Sequence, residues 1–256
     1  MSDIELSILL PCIHLNRLKK FHSSLKASTK RAFEIIVVGP DAPDTSHLEG
    51  RWKFQKDRGC PSRCHNVALE LAEGKYVSLA SDDMKYFAFR VDDCLEMLDG
   101  MGEKGVVSAK HLYQGIAPNL QLQDDYYLVN SYPQHASPYI ADNCLLVNVS
   151  FMRTEYMRAM GGLDARFEHH GVAQVDLAVR VHNDGAEVRL SKDPVCFVEH
   201  TDTTMGDHAP VHYAVVDNDE PLFKEIYSDP NNKDRARIDV NNWKNADAVW
   251  RRRWLE

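Results

Sequence analysis

Short apolar runs alternate with helix-patterned segments through the first 110 residues, and this alternation constrains the fold most. Ser7-Ile8-Leu9-Leu10 is a buried-strand signal ended by Pro11. Leu18, Phe21 and Leu25 follow at helical spacing among Lys and Ser. Glu34-Ile35-Ile36-Val37-Val38 is continuous and β-branched, and Gly39-Pro40 stops it. Trp52 to Lys56 reads as a third strand. Ser62 is a candidate N-cap for a helix from Arg63 to Glu73, with Gly74 as its stop. Tyr76 to Ala80 and Gly105 to Ser108 read as further strands, separated by a helix carrying Phe89, Leu95 and Leu98. Strand and helix alternating at this pitch predict an α/β fold with a mostly parallel sheet flanked by helices.

The pattern then loosens. Residues 112–143 are rich in aromatics, proline and polar groups, as in a loop-rich insertion. Cys144 to Val149 is expected as a strand, and Arg153 to Met160 as a helix stopped by Gly161-Gly162. Val175 to Asn183 is expected as a helix and Val195 to Glu199 as a strand. The chain divides on this reading into a single domain over 1–200 and a C-terminal extension over 201–256 packing on it.

The chain has 256 residues and a formal net charge of −8, which weighs against a dedicated nucleic-acid binder. No apolar run approaches the roughly 20 residues that a membrane helix needs. The first residues show no secretory signal. A cytoplasmic protein is expected, with peripheral contact to a membrane left open. The six cysteines form no CxxC pair, which favours reduced thiols over zinc or disulfides.

Ligands of open α/β sheets bind outside the carboxyl ends of the strands. Those ends carry Pro11-Cys12, Gly39-Pro40-Asp41, Asp57-Arg58-Gly59 and Ser81-Asp82-Asp83. Carboxylates gathered on one rim repel each other, so the rim is expected to face a cation or sugar hydroxyls. Asp82-Asp83 is the most informative pair: hard oxygen ligands suit Mg2+ or Mn2+, with substrate phosphates completing the shell. A solvated turn or a helix cap accounts for the same two residues taken alone.

The ordered set of motifs is more specific than any one of them. Over about residues 5–200 the chain resembles the family 2 glycosyltransferases, which have the GT-A fold. Ser7 to Pro11 resembles the opening strand, and Glu34 to Asp41 the second strand with its acidic loop. Arg63-Cys64-His65-Asn66 leading to Ala72-Glu73-Gly74-Lys75-Tyr76-Val77 is similar to the helix and strand before the metal motif. Ser81-Asp82-Asp83 resembles a DxD-type motif with serine first. Gly161-Gly162-Leu163-Asp164, followed by Val175 to Arg180, resembles the acceptor-side block.

The resemblance implies a metal-dependent, inverting transfer from a nucleotide-sugar donor, with a UDP-sugar favoured and Mn2+ or Mg2+ as cofactor. It places Pro11, Asp41, Arg63, Asn66 and Asp82 at the donor, and Asp83 and His200 at the metal. An inverting displacement needs a base for the acceptor hydroxyl. The family's Glu-Asp pair is replaced here by Ala173-Gln174, and glutamine cannot act as that base. The replacements are Asp176 first and His170 second, with Gln174 orienting the acceptor. This departure keeps open a donor- or glycan-binding protein without turnover. A nucleotidyltransferase ranks below both, because the first strand lacks a glycine-rich triphosphate loop. Acceptor glycans, lipid-linked sugars, proteins and modified nucleic-acid bases all remain candidates. Trp243, Trp250 and Trp254 near Arg251-Arg252-Arg253 read either as a docked helix or as an anion-facing patch.

Overall fold

The computed structural model describes residues 3–199 and 213–239. A seven-stranded mixed sheet forms its centre, in the order β3-β2-β1-β4-β8-β6-β9. Its strands are β1 (Leu6–Pro11), β2 (Phe33–Gly39), β3 (Arg51–Lys56), β4 (Tyr76–Leu79), β6 (Gly105–Ser108), β8 (Ser150–Arg153) and β9 (Glu187–Leu190). The strands from β3 to β4 are parallel, β8 runs antiparallel to both β4 and β6, and β9 is parallel to β6. A small sheet joins β5 (Met84–Tyr86), β10 (Cys196–Val198) and β7 (His111–Tyr113), with β10 in the middle.

The helices are α1 (Leu18–Ser28), α2 (Pro61–Leu71), α3 (Arg90–Asp99), α4 (Pro118–Gln121), α5 (Thr154–Ala159), α6 (His170–Asn183) and α7 (Glu220–Ser228). Two apolar clusters hold them to the sheet. One contains Phe21, Leu25, Leu95 and Leu98 from α1 and α3, and the other contains residues of α2, α5, α6 and α7. All six cysteines are buried and free.

Several boundaries differ from the sequence expectation. Helix α2 begins with Pro61 at its first position and Cys60 as N-cap, so Ser62 lies inside the helix. Proline is pre-organised for that position, and its missing N–H costs nothing there. The helix ends at Leu71. Gly74 is instead a point of close approach to β1, where a Cβ would meet the Ser7 backbone nitrogen at 2.7 Å. The strand expected at Cys144–Val149 is displaced to Ser150–Arg153, and the apolar run before it is irregular chain with one bridge, Leu128–Leu145. Helix α6 begins at His170 and carries Ala173 and Gln174 in its first turns. Its apolar residues do not settle one face because nearly the whole helix is buried.

The strand order reverses about β1, which has β2 on one side and β4 on the other. Such a switch point opens a crevice beyond the carboxyl ends of the strands. Gly39 is required there. A Cβ on it would lie 2.0 Å from the carbonyl oxygen of Cys12.

Candidate active site in the crevice between β1 and β4

The crevice is lined from β1 by Pro11 to His14, from β2 by Val38 to Pro40, and from β4 by Leu79 to Met84. Asp57, Arg58 and Gly59 contribute from beyond β3, and Asn148 and Tyr113 from the far side. His169, His170 and Gln174 enter from the N-terminal end of α6. Of the residues singled out from sequence, Pro11, Asp82, Asp83, His170 and Gln174 therefore meet in one cleft.

Asp82 spans the switch point. Its Oδ2 accepts the backbone N–H groups of Ile13 at 3.0 Å and His14 at 2.9 Å. Its Oδ1 faces the His14 ring and the Arg17 guanidinium, both at 3.4 Å. Burial alone would raise its pKa. The His14 ring and these amides outweigh that and hold the carboxylate below its ordinary range. Asp82 is thus committed to shaping the loop after β1. Asp83, the next residue, lines the cleft and accepts from the Ser81 hydroxyl, while its carbonyl accepts the N–H of Glu199 at 2.9 Å.

Asp83 presents one carboxylate to the cleft, the hard oxygen donor type that a divalent ion takes. That donor set fits Mg2+ or Mn2+, which commonly take one or two carboxylates plus substrate phosphates. Among the described residues, no group of three or more His, Cys, Asp or Glu side chains forms a self-sufficient metal site. His200 lies outside the described residues, as do Trp243, Trp250 and Trp254.

Three expected donor contacts are placed elsewhere. Asn66 is buried, donates to the Leu163 carbonyl at 2.7 Å and accepts the Leu163 N–H at 2.8 Å. Both ends of its amide serve the turn at Gly161-Gly162. Arg63 pairs with Asp57 through Nε at 3.1 Å and Nη2 at 3.0 Å and lies outside the lining, whereas Arg58 is part of it. Asp41 is exposed one residue beyond Pro40, outside the lining.

The structure does not bring Asp176 to the cleft. It is fully buried on α6, 2.7 Å from Arg180 Nε, and it also pairs with Arg235 and accepts from the Tyr227 hydroxyl at 2.7 Å. A carboxylate satisfied by two guanidinium groups and a phenol is a structural anion, out of reach of a substrate proton.

The histidines of the cleft are oriented with more specificity. His169 caps α6: its Nδ1 accepts the Gly171 N–H at 3.0 Å, so the neutral ring carries its proton on Nε2. Gly171 permits this, since a Cβ there would sit 2.8 Å from the His169 ring. His170 stacks on His169 with centroids 5.0 Å apart. His65 lies behind, wedged between the carbonyls of Pro61 at 2.9 Å and Ala80 at 3.1 Å. Burial, and next the nearby His170, push its pKa down to about 3, so it stays neutral.

Arg58 and Asn148 also line the cleft, and the sequence gives neither a role there. Arg58 offers a cation. The buried Oδ1 of Asn148 has no hydrogen-bond partner among the described residues. A buried orphan acceptor costs about 1–3 kcal/mol, which a ligand hydroxyl would recover. Its local sequence signal, the Asn148-Val149-Ser150 sequon, does not point to a ligand, and Asn148 lies in the irregular run before β8.

No protein-family model and no curated protein matches the sequence. Solved structures do match. The S. aureus TarS fragment 1–349 aligns with a TM-score of 0.56 at 16% identity, covering 87% of this chain and 69% of that one. The same fragment has been solved with UDP and with UDP-GlcNAc. This chain covers only 42% of the longer TarS structure. The mannosyltransferase PcManGT from Pyrobaculum calidifontis, solved with GDP-Man and Mn2+, aligns with a TM-score of 0.55 at 14% identity, over 77% of this chain and 57% of that one. The α/β fold described above is therefore a GT-A fold, as the resemblance implied. No helix among the described residues is long and apolar enough to cross a membrane.

Proposed function

We propose that this GT-A chain is a metal-dependent glycosyltransferase that moves a sugar from a nucleoside-diphosphate donor, in first place a UDP-sugar, to an acceptor hydroxyl with inversion. The observation that carries this reading is the meeting of Asp82-Asp83 with His170 and Gln174 in one crevice at the switch point of the sheet. Neighbouring structures of the same fold hold UDP, UDP-GlcNAc and GDP-Man with Mn2+.

In this reading the donor diphosphate lies at the β1/β4 rim. Asp83 and the diphosphate oxygens would hold Mn2+ or Mg2+, which when bound offsets the negative charge developing on the leaving group. Arg58 adds a second positive charge. Asp82 keeps the loop after β1 in place for the nucleotide. His170 takes the acceptor proton as the acceptor oxygen bonds to the anomeric carbon and the sugar–phosphate bond breaks. Gln174 and Asn148 orient hydroxyls by hydrogen bonds.

Ala173-Gln174 favours a second reading, a donor- or glycan-binding protein that does not turn over. A panel of nucleotide sugars with Mn2+, assayed for nucleoside diphosphate release, separates the two. Release from one donor supports the enzyme. Binding without release supports the second reading, and no binding of any nucleotide contradicts both.

A further inference from the structure

Asp219 is fully buried at the end of a single π-helical turn (Val215–Asp219) that leads into α7. Its Oδ1 accepts the N–H of Glu168 at 2.9 Å, and its Oδ2 accepts the N–H of His169 at 2.7 Å. Asn218 donates to the same carboxylate at 2.7 Å and to the Arg166 carbonyl at 3.0 Å. The two amides held are those just before α6, where the chain turns its histidines into the cleft. Helix α7 is itself fixed to the core by Phe223 and by the Tyr227 hydroxyl on Asp176.

We infer that Asp219 is a positioning residue for the transfer: it fixes the Glu168–His169 backbone, and through it the His169–His170 pair. The geometry has direction. One buried carboxylate sets the Glu168 and His169 amides, the His169 ring caps Gly171, and His170 stacks on that ring. A charged acceptor on two backbone N–H groups is a strong, well-oriented contact. A segment about 50 residues beyond the start of α6 in sequence thereby belongs to the working site. That the pair acts on substrate rests on the function proposed above; that Asp219 sets its geometry does not.

The test uses the full chain with Asp219→Asn, whose amide cannot accept from both N–H groups. Long-range 1H–15N NMR of the imidazoles reads the His169 tautomer. The native chain is expected to show Nδ1 unprotonated and Nε2 protonated, and Asp219→Asn to lose that signature. With a donor that the native chain turns over, kcat is expected to fall on the order of 10–100-fold, as for other outer contacts that orient a working group, with the donor KM unchanged. Tyr227→Phe loosens α7 without touching Asp219, and is expected to lower stability but keep kcat and the His169 signature. If Asp219→Asn does not fold, Asp219→Glu, which keeps the charge on a longer arm, takes its place. A native tautomer and kcat in the Asp219 variant, or an equal loss in Tyr227→Phe, overturns the inference. If the native chain turns over no donor, the proposed function fails, and the NMR signature alone decides the role of Asp219.

Discussion

Arg180 and Asp176, one helical turn apart on α6, form an ion pair in which both side chains are fully buried, with Nε 2.7 Å from Oδ2. The Arg180 guanidinium also donates to the carbonyls of Met160 at 2.8 Å and Gly162 at 2.7 Å, so it ties α6 to the turn after α5. Arg235 joins from the C-terminal segment and reaches Asp164 at 2.6 Å as well. Removing one partner of a buried pair leaves an uncompensated charge. Asp176→Ala is therefore expected to destabilise the fold by about 3–5 kcal/mol. Urea unfolding monitored by circular dichroism measures this. Full stability with lost turnover would instead mark Asp176 as a chemical group.

His170 and Gln174 carry the opposite expectation. His170→Ala is expected to lower turnover by on the order of 10²–10⁴-fold, the usual weight of a general base, while nucleotide affinity stays native. Gln174→Ala is expected to act mainly on acceptor KM, since an amide orients without taking a proton. Steady-state kinetics with the best donor checks both, and native kcat in His170→Ala would assign the base elsewhere.

Acid should destabilise this fold through buried neutral histidines. Burial, with His170 as a second cause, pushes His65 down from 6.5 to about 3, and burial pushes His111 and His135 down to about 4. The unfolded chain takes up these protons as pH falls through about 6.5, whereas the folded chain refuses them until about 4 or below. Stability is thus full above 6.5 and is lost as pH falls from there toward 4. Each residue contributes about 1–2 kcal/mol of that loss between pH 7 and pH 5. Urea midpoints across this range check the slope, and a flat profile would contradict the burial of these rings.

The legible parts of this molecule were those decided by local pattern. β1, β2 and β4 are continuous buried runs, and their carboxyl ends mark the crevice in the sequence itself. Residues 144–149 misled because a buried apolar run looks the same whether or not it joins a ladder. β5, β7 and β10 have three residues each, too few for a period to show. At the site, Asp82 and Asp83 are legible as a pair, but their division is not: the braces on Asp82 are amides and a ring 68 or 69 residues away. Asn66 and Asp176 sit at motif positions yet serve the Leu163 turn and the arginines. Asp219 had no local signal, since its partners are backbone N–H groups about 50 residues upstream.

The proposed function requires a nucleoside diphosphate to bind the crevice through Asp83 and a divalent ion, on the loop that Asp82 holds. Titration calorimetry of UDP with and without Mn2+, on the native chain, Asp83→Ala and Asp82→Asn, tests it most directly. The native chain is expected to bind UDP much more tightly with Mn2+. Asp83→Ala is expected to lose that enhancement. Asp82→Asn is expected to weaken binding with and without Mn2+ alike. UDP affinity that neither Mn2+ nor Asp83→Ala alters, or no UDP binding at all, would overturn the proposed metal-dependent transfer.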